Sequence, residues 1–182
     1  MKKMFVSLVI ILCSLHGLGQ KYYTKSGNIS FFSGTSVEDI EAINRSVVAL
    51  LDSRTGDVHF VVLMKSFAFK KALMQEHFNE DYIESDKFPK AEFKGKITNN
   101  AEIKYNVDGT YTAKVSGQLT IHGQTRTIET TGTIVIKSGK VQVNSIFNVL
   151  VADYKITVPK LYRDNISPSI RVTVNCTLGP LK

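Results

Sequence analysis

The sequence predicts an all-β protein in which an antiparallel sheet closes into a barrel. Apolar and polar residues alternate without a break over residues 111–121, and the same period of two returns in later runs. This period is typical of strands with one buried and one exposed face. Short turns rich in Gly, Asn and Asp separate the runs. The chain holds at least seven or eight such strands, enough for a barrel or a sandwich, and the unbroken alternation favours the closed barrel.

The strand-forming runs follow one another along most of the chain. Two of them, at 111–122 and 128–137, are joined by the turn HGQT and are predicted to form a hairpin. Gly-containing turns such as RTGD, VDGT and KSGK separate other pairs. The complete set of predicted strand runs is 28–33, 44–52, 57–64, 91–97, 111–122, 128–137, 141–149 and 170–178.

Two segments interrupt the strands as helical candidates. Residues 36–44, SVEDIEAIN, begin with a Ser suited to capping a helix and place acids in the first turn, so they predict a short helix. Residues 69–84 form the second candidate, of which 69–78 are predicted as helix. This candidate ends before Pro89, which returns the chain to an extended conformation.

The first nineteen residues predict a secretory signal peptide. Lys2 and Lys3 precede an apolar run over residues 4–15, and small residues follow it before an expected cleavage site ahead of Gln20. The apolar run is too short for a comfortable membrane span. We therefore expect a periplasmic or secreted protein.

The mature chain, residues 20–182, has the length of one domain with room for a core. Cys13 follows Leu12 rather than the small residue that usually precedes a lipidated Cys, so cleavage is expected instead of a lipid anchor. Only Cys176 remains after cleavage, which excludes an internal disulfide. Alternation places Cys176 on an inward face, where burial makes a thiol unreactive.

The charge of the mature chain is mildly positive and scattered. The net charge of +7 falls to +5 once Lys2 and Lys3 are removed. Nucleic-acid binding needs clustered Lys and Arg, so no nucleic acid is expected as a partner. A mild positive charge is compatible with transient contact with an anionic membrane surface.

The second helical candidate contains the side chains that most resemble a metal-binding or catalytic group. His77, Asp81 and Glu84 are spaced so that all three could face one way on a helix and hold a divalent ion. The same spacing is typical of a solvated helix face, and lysines flank these acids. The solvated face is the preferred interpretation, and a metal-dependent enzyme using these residues is kept as a less favoured alternative.

Other sequence signals of catalysis are missing. There is no GxSxG motif, no Gly-rich phosphate loop and no dinucleotide fingerprint. His59 and His122 fall on outward-reading positions, and His122 begins a turn where a structural role is expected. We therefore expect that the protein is not an enzyme and that it binds no metal and no cofactor.

The inward-reading surface of the predicted barrel is aliphatic and aromatic with almost no charge. An eight-stranded barrel is just wide enough to be filled by its own side chains or to enclose one slender ligand. Composition does not choose between these cases, so a ligand-free structural or stress-related barrel remains an alternative.

Three stretches together resemble the YceI-like family of exported lipid-binding proteins, over about residues 22–178. They are LMQEHFNEDYIESDKFPKAEFKGKI, VSGQLTIHGQTRTI, and FNVLVADYKITVP together with ISPSIRVTVNCTL. The family pattern matches His77 in a helix and Pro89 and Phe93 at a strand entry. In the hairpin it matches Gly117, Leu119, Thr120, His122 and Gly123.

The resemblance implies an eight-stranded lipocalin-like barrel whose elongated apolar lumen holds a polyisoprenoid or a similar amphiphilic lipid. The helix with Leu73, Met74, Phe78 and Tyr82 would then line the rim of this lumen, while the acids of the helix stay in water. The candidate lining residues are those that read inward: Phe60, Val62, Met64, Leu73, Met74, Phe78, Leu119, Ile134, Phe147 and Val174.

Overall fold

Nine antiparallel strands and one short helix make up the protein in a computed structural model that describes residues 20–181. The predicted signal peptide, residues 1–19, lies outside the described residues. In chain order the elements are β1 (Lys21–Gly34), β2 (Asp39–Asp52), β3 (Asp57–Leu63), β4 (Phe67–Phe69), α1 (Ala72–His77), a π-helical turn (Phe78–Tyr82), β5 (Lys90–Ile97), β6 (Gly109–Ile121), β7 (Gln124–Lys137), β8 (Lys140–Leu150) and β9 (Ser169–Pro180).

Eight of the strands close into a barrel. Their order is β1-β9-β8-β7-β6-β5-β3-β2, and β2 pairs again with β1. The short β4 pairs with the first half of β2, while β3 pairs with its second half. A turn at Met64–Ser66 separates β3 from β4, so the two act as one interrupted strand. The predicted eight-stranded antiparallel barrel is confirmed.

The predicted helix at 36–44 is wrong. Residues 35–38 form a tight turn, in which the Thr35 hydroxyl oxygen accepts hydrogen bonds from the amides of Val37 and Glu38 at 3.2 and 3.1 Å. Residues from Asp39 onward belong to β2 and pair with β1. The tertiary pairing with β1 outweighs the helical preference of such a short segment.

The second predicted helix, near 69–78, is confirmed in place but is shorter. It begins at Ala72 because the preceding aromatic residues pair with β2 as β4. It passes into the π-helical turn, where the amide of Ile83 donates to the carbonyl oxygen of Phe78 at 3.0 Å. Between residues 20 and 181, no helix has the length and apolar character needed to cross a membrane.

One end of the barrel is densely packed, and we call it the closed end. Leu51, Ile97 and Leu178 lie there and are almost completely buried. Tyr22 and Tyr105 stack nearby with ring centroids 6.1 Å apart. Each fully buried aliphatic side chain contributes about 1.5–3 kcal/mol relative to exposure. The closed end therefore supplies much of the stability of residues 20–181, in which the one cysteine, Cys176, is free.

Cys176 is fully buried near the closed end, as the alternation predicts. Burial raises the pKa of its thiol to about 11. The thiol donates a hydrogen bond to the Asn28 carbonyl oxygen at 3.7 Å. Gly27 of β1 lies directly opposite. A methyl group added at Gly27 would lie 2.5 Å from Cys176 Sγ and 3.2 Å from the Val47 carbonyl oxygen.

We therefore expect Gly27→Ala to destabilise the barrel by about 1–3 kcal/mol, because the new methyl overlaps a sulfur that has no room to move. Gly179→Ala is the matched control, since a methyl there has no heavy atom within 4 Å. Urea unfolding of both variants measures the difference. Equal stability of the two would show that the β1–β9 interface is looser than described.

Candidate ligand-binding cavity

The other end of the barrel, which we call the open end, holds a cavity of about 400 Å³. Its walls are the halves of the strands remote from the closed end, together with α1 and the segment between β8 and β9. Ligand pockets in proteins usually measure about 300–1,000 Å³. The cavity is therefore large enough for a small ligand or for part of a longer one.

An aromatic cluster forms one wall of the cavity. Phe78 stacks on Phe31 with centroids 5.4 Å apart, and it lies 5.1 Å from Phe69 and 5.7 Å from Phe67. Such tilted and offset arrangements stabilise aromatic pairs beyond the area they bury. The cluster joins β1 and β4 to the end of α1 and so holds the helix across the open end.

Helix α1 covers the cavity without being buried itself. None of its residues is buried, while Phe78 and Ile83 directly after it belong to the core. Leu73 and Met74 line the cavity from the helix, as predicted for a rim. The helix is therefore anchored firmly at its C-terminal end and more weakly along its length.

The predicted lining residues divide between two cavities. Three of them face a smaller space of about 80 Å³ toward the closed end: Phe60, Ile134 and Val174. Phe147 lines both spaces. The other six line only the 400 Å³ cavity: Val62, Met64, Leu73, Met74, Phe78 and Leu119. Alternation identifies the inward face of a strand, but it does not show how deep along the barrel a residue lies.

The segment between β8 and β9 also lines the cavity, and this contribution was not predicted from the sequence. Val151, Ile156, Val158 and Ile166 all line the cavity from this segment. They follow no strand or helix period, so periodicity could not identify them. The only available signal was the presence of repeated aliphatic residues in a stretch with no regular structure.

The charged side chains of the cavity lie at its rim and have polar partners, while the buried Ser33 hydroxyl accepts a hydrogen bond from the Ser167 amide at 2.9 Å. Glu38 accepts hydrogen bonds from Lys71 Nζ at 2.9 Å and from Asn165 Nδ2 at 3.3 Å. These two bonds, that from Lys71 first, lower the pKa of the Glu38 carboxyl. His77 Nδ1 lies 2.6 Å from Asp81 Oδ2. The interior beyond this rim is thus left to apolar side chains.

Of the candidate metal ligands, only His77 and Asp81 lie in contact, and Glu84 is not part of this pair. Glu84 turns away and pairs with His122, at 2.8 Å between Oε2 and Nε2. Across residues 20–181, no three His, Cys, Asp or Glu side chains are grouped closely enough to hold a metal ion. The π-helical turn displaces Glu84 from the helical spacing on which the alternative depended.

His122 connects the hairpin turn to two other segments. Its Nδ1 lies 3.1 Å from the carbonyl oxygen of Tyr154, and its Nε2 faces Glu84. The ring thus connects the carbonyl oxygen of Tyr154 with the carboxyl group of Glu84. Its side chain is only 12% exposed, which fits the structural role expected of a His at the start of this turn.

Both partners of this contact have strained backbones. Glu84 has φ 48° and His122 has φ 49°, in the left-handed region that disfavours side chains. Such residues cost on the order of 1–3 kcal/mol and persist only where the surroundings fix them. The His122–Glu84 ion pair is thus part of what holds the β6–β7 turn against the segment after α1. His59, by contrast, lies on the outer face and pairs with Glu92 at 2.7 Å.

The chain belongs to the YceI-like family, because the model of the YceI-like domain matches residues 16–178. The family resemblance of the sequence is thereby confirmed. No curated protein matches the chain in a sequence search.

Solved structures show the same fold at low sequence identity. A polyisoprenoid binding domain from Saccharophagus degradans is 14% identical, with a TM-score of 0.77 over 90% of this chain and 99% of that one. BcnA of Burkholderia cenocepacia is 14% identical, with a TM-score of 0.68 over 84% and 96%. A YceI protein of Campylobacter jejuni is 17% identical, with a TM-score of 0.57 over 75% and 81%.

The His122–Glu84 contact predicts a specific pH dependence of stability. The hydrogen bond from His122 lowers the pKa of Glu84 below its ordinary value of 4.5. A carboxyl whose pKa is lower in the folded state stabilises the fold above its unfolded pKa, and this contribution is lost as the pH falls through the folded pKa. We expect Glu84→Gln to lower the melting temperature at neutral pH and to approach the wild type below pH about 4.

Glu76→Gln is the control, because Glu76 is exposed on α1, and we expect its melting temperature to follow the wild type at every pH. A difference between Glu84→Gln and wild type that stays constant down to strongly acidic pH would contradict the ion pair described for His122.

Proposed function

We propose that the protein is an exported carrier that holds one polyisoprenoid or similar long-chain amphiphilic lipid in the cavity of its open end, and that it is not an enzyme. The single observation that carries this proposal is the apolar cavity of about 400 Å³ in a barrel whose closed end is densely packed. Export is supported by the sequence pattern of residues 1–19, with Lys2 and Lys3 before the apolar run.

The lining of the cavity suits a hydrocarbon chain. Aliphatic and aromatic side chains dominate it, and flexible Met64 and Met74 can adapt to an irregular chain. Each buried methylene contributes about 0.8 kcal/mol. About ten buried carbons would leave several kcal/mol after the ordering costs of binding. Affinity would therefore depend on the buried length of the chain rather than on one polar contact.

The polar rim supports a binding role over a catalytic one. Lys71 is paired with Glu38 and His77 with Asp81, so each of these two side chains already has an acidic partner. These pairs lie where the chain of a bound amphiphile would leave the cavity, rather than around a reacting centre. The polyisoprenoid binding domain of Saccharophagus degradans, which shares the fold, further supports this class of ligand.

Narrowing the cavity should reject the longest ligands first. Val62 and Leu119 both line it, so we expect Val62→Phe and Leu119→Trp to bind short prenols but to lose long ones, with little loss of stability. Val141 is fully buried at the closed end, and Val141→Phe is the matched control. We expect that control to cost about 1–3 kcal/mol of stability and to leave the dependence on chain length unchanged.

Calorimetry with prenols and fatty alcohols of graded length measures the ligand-length preference of each variant. Melting temperatures without and with these ligands measure its stability and confirm binding. A wild-type protein that binds no chain of any length would contradict the carrier. Equal destabilisation by Val62→Phe and Val141→Phe, with no effect of either on ligand length, would instead favour a ligand-free structural barrel.

A further inference from the structure

The two internal spaces of the barrel lie end to end along its length. On β3, Phe60 lines the 80 Å³ space and Val62 lines the 400 Å³ cavity. On β9 the same change occurs between Val174 and Val172. Consecutive inward residues of an antiparallel strand are two positions, or about 6.8 Å, apart. One layer of side chains therefore separates the smaller space from the cavity.

Phe147 of β8 belongs to this separating layer. Among residues 20–181, it alone lines both spaces. Its side chain packs against the main core and also against a smaller cluster formed by Leu119, Val149 and Tyr154. The ring of Phe147 therefore closes the inner end of the cavity and at the same time bounds the smaller space.

Phe93 is a second aromatic residue near this level, but its ring fills a recess in the barrel wall. A methyl group added at Gly95 would lie 2.5 Å from Phe93 Cζ, and one added at Gly117 would lie 2.7 Å from it. The ring tip thus occupies the place that side chains at these two paired positions would take. Phe93 lines only the smaller space, so the division of the lumen depends on Phe147.

The smaller space is chemically suited to the end of a hydrocarbon chain. Aliphatic residues such as Ile128, Ile134 and Val143 line it, and none of its lining residues within 20–181 is charged. The inward hydroxyl groups of Thr130 and Ser145 are 3.2 Å apart and hydrogen-bond to each other. A chain is therefore kept out of this space by the ring of Phe147 and not by polarity.

We propose that Phe147 sets the length of the hydrocarbon chain that the cavity accepts. Its ring stops the inner end of a bound chain, and carbons beyond the capacity of the cavity stay outside the protein, where they add nothing to the affinity. This role rests on the proposed function, because it concerns the same cavity and the same class of ligand.

Truncation of the ring tests this role. Phe147→Ala joins the two spaces, whereas Phe60→Ala enlarges only the smaller one and is the matched control. With prenols of graded length, we expect the affinities of wild type and Phe60→Ala to stop rising at the same chain length. The affinity of Phe147→Ala should rise by a further tenfold, approximately, over at least one more isoprene unit, because the added carbons are buried.

Melting temperatures show whether each variant is folded under the conditions of the binding assay. Both truncations remove buried atoms and should lower the melting temperature. Phe147→Leu is the second variant, because it removes the ring but keeps a branched apolar side chain. We expect it to be more stable than Phe147→Ala and to extend the accepted chain length by less.

A fluorescent reporter locates the inner end of the bound chain. The protein has no tryptophan, so Phe60→Trp places a single indole in the smaller space. We expect prenols of every length to leave its emission unchanged while Phe147 is present. When Phe147→Ala is added to Phe60→Trp, a prenol long enough to fill the cavity should change the emission.

Two results would overturn the role of Phe147 and leave the carrier intact. One is an affinity that stops rising at the same prenol length in wild type, Phe147→Ala and Phe147→Leu. The other is a prenol-induced change in the emission of Phe60→Trp with Phe147 in place, which would show that the chain passes the ring. If neither wild type nor Phe147→Ala binds any prenol, the carrier and the length limit both fail.

Discussion

The pairing of β1 with β2 is the interaction on which the rest of the structure depends. Eleven residue pairs join these two strands and close a sheet that would otherwise have two free edges. Closure turns one face of every strand toward a common lumen. The packed core and the cavity then both depend on how completely inward side chains fill that lumen.

Inward side chains fill the lumen to different extents at the two ends of the barrel. At the closed end, Leu51, Ile97 and Leu178 are almost completely buried, and the space left beside them measures only about 80 Å³. At the open end the wall includes α1 and an irregular segment, and the lumen stays open over about 400 Å³. The densely packed end stabilises residues 20–181, whose one cysteine is free, so the open end can keep a cavity that costs packing energy. The dense core and the cavity thus occupy different parts of one barrel.

Local contacts at the rim determine how the open end is held together. The Glu38–Lys71 pair is exposed and is worth little on its own. The His122–Glu84 pair is more enclosed on its histidine side and holds two residues with positive φ. Helix α1 is therefore fixed near Phe78 and Glu84 and more loosely tied near Lys71.

Most of the fold could be predicted from the sequence, because alternation with a period of two survives in nearly every strand. The error at 36–44 arose where a capping signal and early acids competed with long-range pairing to β1, which no local pattern reveals. The inward direction of Val62 and Leu119 followed from alternation. Their depth along the barrel did not, and Ile156 and Val158 could not be identified because their segment has no period.

We propose that the open end carries one long-chain lipid, and native mass spectrometry of protein purified after export is the decisive experiment. We expect a chain that begins at Gln20 with one lipid bound, and solvent extraction should release a polyisoprenoid or a similar amphiphile. A bare chain that stays bare after incubation with prenols of increasing length would contradict it.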